Sequence, residues 1–80
     1  MNIKLIAFGI AKDILSNSQM DLELKEESRI EDLKSSLIRD YPEFNKLKSL
    51  KFAINEDYQD DSYQIKENDE VVIIPPVSGG

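Results

Sequence analysis

Only one stretch of this chain repeats its apolar residues at helical spacing for long enough to cover a core. Those residues are Ile30, Leu33, Leu37, Ile38 and Tyr41, separated by three, four, one and three positions, which puts them on one side of a helix. Ser28-Arg29-Ile30-Glu31 offers a capping-box start, and Pro42 disfavours helix at the residue before it, so the helix stops near Tyr41. One amphipathic helix cannot bury its stripe against itself. It needs a sheet, and the rest of the chain must supply it.

The remaining segments alternate with a period of two. Ile3, Leu5 and Ala7 alternate with Lys4 and Ile6, predicting a strand over Ile3–Phe8 that Gly9 ends. Ile6 and Phe8 make its second face partly apolar, as in a strand covered on one face and contacted on the other. A short segment, Ile10 to Leu15, has room for one helical turn. After the turn signal Ser16-Asn17-Ser18, Met20, Leu22 and Leu24 alternate with Asp21, Glu23 and Lys25, a strand that pairs with the first as a hairpin. Leu50, Phe52 and Ile54 mark a third strand, followed by an acidic loop containing Glu56-Asp57 and Asp60-Asp61. Ser62 to Ile65 makes a short fourth. Val71 to Ile74 is a β-branched run expected to be a fully buried central strand, ended by Pro75-Pro76, which cannot donate to a ladder. The order is β-β-α-β-β-β: an α+β domain with one main helix across a mixed sheet of about five strands. The two terminal strands are the most apolar, so they are expected side by side and parallel at its centre.

The 80 residues suit one domain, with residues 1–76 folded and residues 77–80 forming a flexible tail. A domain this small has little room for a deep cleft. With no Cys and no His, the chain lacks thiolate nucleophiles, disulfides and the commonest general base and metal ligand. The acidic cluster Glu56-Asp57…Asp60-Asp61 lacks the spacing of a calcium loop, so no metal is expected. The net charge of −6 comes from sixteen acids against ten scattered bases, the reverse of what nucleic acid or anionic membranes demand; it suits a basic protein partner. No apolar run is long enough to span a membrane and the start lacks a signal-peptide pattern, so the expected location is cytoplasmic.

Chemistry concentrates at the end. The chain has three glycines, and Gly79 and Gly80 are its last residues. A structural glycine serves positive φ inside a turn, and a terminal pair has no turn to make. Without Cβ, such a tail enters a channel too narrow for other residues and presents its carboxylate to a partner's active site. Pro75-Pro76 fixes two φ angles and aims the tail, which from Val77 reaches about 13 Å. Val77 can dock in an apolar notch while Ser78, Gly79 and Gly80 go deeper.

The stretch Asp69-Glu70-Val71-Val72-Ile73-Ile74-Pro75-Pro76-Val77-Ser78-Gly79-Gly80 resembles the C-terminal signature of the small, sulfur-carrying subunits of molybdopterin synthase. Ile3-Lys4-Leu5-Ile6-Ala7-Phe8-Gly9, Lys12-Asp13-Ile14-Leu15 and Ala53-Ile54-Asn55 are also similar to that family. Ile73-Ile74 stands where the family often has an aromatic pair. Lys12 stands where it often has Arg, a better bidentate partner. The resemblance implies a ubiquitin-like β-grasp fold and a two-stage chemistry. An adenylating enzyme, similar to ubiquitin-activating enzymes, uses ATP to make an acyl-adenylate of Gly80. A sulfurtransferase donor then displaces AMP and leaves a thiocarboxylate, whose sulfur passes to a pterin precursor in the large catalytic subunit. A two-plus-two heterotetramer is implied. The chain itself binds no cofactor and supplies position rather than catalysis.

Phe8, Lys12, Tyr58, Ile74, Pro75 and Pro76 are the candidate partner contacts. Phe8 is open between core and surface. Tyr58 lies in the acidic loop, and Ile74 leads into the tail. Rival readings are a thiamine-pathway sulfur carrier and a ubiquitin-like protein modifier, which share the tail chemistry. An acyl carrier protein is disfavoured because its helical bundle conflicts with the strand patterns.

Overall fold

The computed structural model of the protein describes residues 1–47 and 50–74. The elements are β1 (Asn2–Ala7), α1 (Gly9–Leu15), β2 (Gln19–Glu23), α2 (Ile30–Asp40), a 3₁₀ helix (Pro42–Lys46), β3 (Lys51–Ile54), β4 (Asp57–Gln59) and β5 (Glu70–Ile74). The strands form one sheet in the order β2-β1-β5-β3-β4. β1 pairs antiparallel with β2 and parallel with β5, while β3 pairs antiparallel with both β5 and β4. The terminal strands thus meet in parallel near the centre, where their apolar content is needed.

The inner face carries the core. Ile3, Leu5 and Ala7 from β1, Phe52 and Ile54 from β3, and Val71 and Ile73 from β5 are buried with Ile30, Leu33 and Leu37 of α2. Phe44 of the 3₁₀ helix and Ile65 complete this layer. Fully burying such side chains is worth roughly 1.5–3 kcal/mol each. Ile38 and Tyr41 pack at its margin.

Several expectations need correction. β5 is not buried on both faces: Val72 and Ile74 are only half-buried, because none of the described elements forms a second layer over the outer face. The segment after Gly9 makes two helical turns rather than one. α2 starts one residue later than Ser28 predicts. Arg29 is the N-cap, and the Asp32 carboxylate accepts its backbone N–H at 2.8 Å. The Ser28 hydroxyl instead donates to the Lys25 carbonyl at 2.7 Å, closing the preceding turn. The fourth strand is Asp57–Gln59, inside the expected acidic loop. Ser62–Ile65 contributes a single bridge, Gln64 to Arg29. β3 and β4 are joined by Asn55 and Glu56, whose φ angles of 48° and 78° are the left-handed values a two-residue hairpin requires.

One polar corner locks the start of β5. Asp69, buried to 6 % exposure, accepts hydrogen bonds from Asn55 Nδ2 at 3.0 Å and from the Lys66 N–H at 2.8 Å. Asn55 Oδ1 in turn accepts the Glu70 N–H at 3.0 Å. This ties the hairpin turn to the strand entering the sheet centre. Burial pushes the half-buried Tyr63 phenol above its usual range, and the nearby Asp69 carboxylate adds to the shift.

Candidate functional site

The outer face of the sheet divides into a polar and an apolar half, and strand register sets the boundary. One cross-strand row aligns Asp21, Lys4 and Glu70. The next outer row aligns Ile6, Val72, Ala53 and Tyr58 across four strands. At about 4.8 Å per strand it spans roughly 14 Å. Beyond it, the Ala7–Ile73 pairing brings Phe8 beside Ile74, whose other neighbour is Lys51.

The apolar half is open to solvent. Phe8 is 59 % exposed, Tyr58 69 % and Ile10 45 %. The local chain explains Phe8. Its extended backbone (φ −128°, ψ 162°) continues the β1 alternation one residue past Ala7, on the side of Ile6. Gly9 then turns at φ 54°, a value that favours glycine, and starts α1 immediately. The ring therefore cannot fold back into the core.

Phe8, Ile74 and Tyr58 thus share one face, with Phe8 and Ile74 adjacent and Tyr58 across β3 from them. Lys12 is exposed in the last turn of α1. Pro75, Pro76, Val77, Ser78, Gly79 and Gly80 lie outside the described residues. The last described residue before them, Ile74, ends β5 at the edge of the apolar half. Half-buried Val72 is an addition to this face that the uniformly apolar run Val71–Ile74 does not reveal. Ala53 lies in the same row but is buried, and its place follows from register, which no local pattern reveals. Among the described residues no group of His, Cys, Asp and Glu is arranged to hold a metal ion, and no helix is long and apolar enough to cross a membrane. Among the described residues the arrangement presents an apolar surface at the end of β5.

Residues 5–80 match the ThiS family. The chain belongs to that family. It is 34% identical to the molybdopterin synthase sulfur carrier subunit of Chlamydomonas reinhardtii, over 100% of both chains. In fold it is similar to small archaeal modifier protein 1 of H. volcanii, with a TM-score of 0.80 at 12% identity over 95% of this chain and 98% of that one. It is also similar to a chain in the complex of subunits 1 and 2 of molybdopterin-converting factor from Helicobacter pylori, with a TM-score of 0.69 at 21% identity over 100% of both. These ThiS-family and ubiquitin-like likenesses agree with the β-grasp fold implied by the sequence.

Proposed function

We propose that this chain is the sulfur carrier subunit of a molybdopterin synthase. The observation that carries this reading is the end-to-end similarity to a carrier subunit of that name. The Gly79-Gly80 pair and the apolar face around Phe8 and Ile74 support it.

The chemistry follows from the Gly80 carboxylate, a poor electrophile that a partner must activate. An adenylating enzyme joins it to AMP from ATP and releases pyrophosphate. The terminal sulfur of a sulfurtransferase persulfide displaces AMP, and a thiol reductant cleaves the resulting acyl disulfide to leave a thiocarboxylate. The large subunit admits the tail, the sulfur passes to the pterin precursor, and water supplies the oxygen that returns Gly80 to a carboxylate. This chain positions the sulfur and its partners supply the catalysis, in the cytoplasm.

Within that reading, Phe8 and Ile74 anchor the large subunit and Tyr58 extends the contact. Lys12 contributes a charge at the margin of the patch. Pro75 and Pro76 limit the directions the tail can take, which reduces the ordering cost of each docking event. Val77 seats in the channel ahead of Ser78 and Gly79.

The deciding experiment is intact-mass analysis of the chain after incubation with an adenylating enzyme, ATP and a sulfur donor. The expected product carries sulfur in place of one C-terminal oxygen and donates it to the large subunit. A chain recovered only as lysine conjugates, or one that restores thiamine synthesis but not molybdoenzymes in a deletion strain, refutes the assignment.

A further inference from the structure

We propose a second docking site, independent of the tail: a groove between β2 and α2 that takes an extended segment of a partner protein with alternating apolar and basic residues. β2 is a terminal strand of the sheet. The Leu24 N–H donates to Met1 and the Ala7 N–H to Ser18, so the alternation of an antiparallel ladder turns the backbone groups of Gln19, Asp21 and Glu23 toward the open edge. Such a row is a template for an added strand.

Beside that edge lies a cleft of about 210 Å³ with Met20, Leu22, Leu24, Leu37 and Tyr41 in its wall. A second cleft of about 490 Å³ shares Glu23, Leu24, Leu33, Ser36 and Arg39 with it. The two therefore form one groove running along α2. Met20, Leu22 and Leu24 are each half-buried, so their remaining surface is available to a ligand.

Register dictates the chemistry of the occupant. Side chains of a strand added to β2 alternate between the two faces. Those on the inner face enter the apolar groove. Those on the outer face meet Asp21 and Glu23, and among the described residues neither acid has an ion-pair partner. The groove rim adds the acids Glu26, Glu27, Asp32 and Asp40 against the cations Lys25 and Arg39, with Asp40 paired to Arg39 and Glu26 to the N-terminal ammonium, so its balance stays acidic. Apolar residues alternating with Lys or Arg satisfy both faces. A second copy does not, because β2 against β2 brings Asp21 and Glu23 beside their own kind, and like charges directly across a ladder are destabilising. The site lies on the opposite side of β1 from β5, so it can be filled while the outer face of β5 engages another protein.

The test titrates a peptide of alternating valine and lysine, about eight residues long, into the full chain at low salt, with backbone amides followed by NMR. The amides of Gln19, Asp21 and Glu23 should shift and become protected from exchange. Asp21→Lys should weaken binding roughly tenfold or more. Asp21→Pro removes an edge N–H without costing a ladder bond and should do the same while circular dichroism stays unchanged. Glu23→Lys provides the same charge test should the proline variant fail to fold. A valine–glutamate peptide should bind at least about tenfold more weakly. The proposal is overturned by absence of binding, or by shifts centred on Phe8, Val72 and Ile74. A concentration-dependent dimer abolished by Asp21→Pro also overturns it, since a second copy would then occupy the edge.

Discussion

The two ends of β5 are built on opposite rules. At its start, Asp69 is buried and accepts two hydrogen bonds, and Asn55 bridges it to the first residue of the strand. At its end, Ile74 sits half-buried beside an exposed Phe8 on a face that no layer of the described residues covers. The first end satisfies its polar groups internally. The second leaves apolar surface for another molecule to bury. On the proposed function, stability and recognition fall at opposite ends of one strand, and a change at either should disturb mainly one of them.

The largest effect is expected beyond the second end. Deleting Gly80, or adding one residue after it, should abolish thiocarboxylate formation and leave the thermal melt unchanged. A variant that still transfers sulfur would show that the terminal carboxylate is not the carrier.

Next comes the patch. Phe8→Asp or Ile74→Asp should weaken large-subunit binding by about 2 kcal/mol or more, roughly thirtyfold. A buried charge without a partner is costly at an interface. Isothermal titration with folded variants checks this, and unchanged affinity in both would remove the patch from the binding surface. Asp69→Ala strikes the other end. It strands the Asn55 amide and the Lys66 N–H, at a cost of about 1–3 kcal/mol. The melting temperature should fall by roughly 4–8 °C per kcal/mol in a domain this size, while partner affinity measured well below the melt stays at the parent value. Lost affinity in the still-folded variant would mean that the two ends are coupled.

The smallest effect concerns Tyr63. Its pKa is raised by burial and then by the charge of Asp69, so the folded state favours the neutral phenol. The associated stability is complete below about pH 10, the unfolded value, and is lost as pH climbs through the raised folded value. Tyr63→Phe should therefore flatten the alkaline decline of the urea midpoint above about pH 10. A variant that declines as steeply as the parent would show that the corner tolerates the phenolate.

Much of this architecture was legible because it follows periodicity. β1, β2 and α2 each repeat apolar residues at the spacing their burial requires, and the two most apolar strands do meet in parallel, although the unbroken apolar run of β5 hides that only Val71 and Ile73 are buried. β4 escaped because an edge strand of three residues needs no buried alternation: Asp57 and Tyr58 are exposed and Gln59 is half-buried. Its turn is equally silent, since Glu56 takes a positive φ that its residue type does not advertise. Ser62–Ile65 misled because Ile65 is a core residue reached from irregular backbone. At the site, sequence placed Phe8 and Ile74 together but left Phe8's exposure open. That exposure depends on the turn at Gly9 and on the missing layer over the outer face, both tertiary facts.

The parallel pairing of β1 with β5 has a consequence for how the protein is made. Lys4 meets Glu70 and Ala7 meets Ile73, so the centre of the sheet joins nearly opposite ends of the chain. Contacts this distant in sequence slow folding, because the long loop between them must be closed before they add stability. During synthesis β1 and β2 emerge early as a hairpin, which alone is marginally stable at best. β1 keeps an unpaired edge until β5 has been translated. A chain interrupted before Glu70 exposes that edge and the apolar stripe of α2 together, the combination that invites aggregation. Completion of the domain is thus tied to synthesis of the strand that leads directly into the tail.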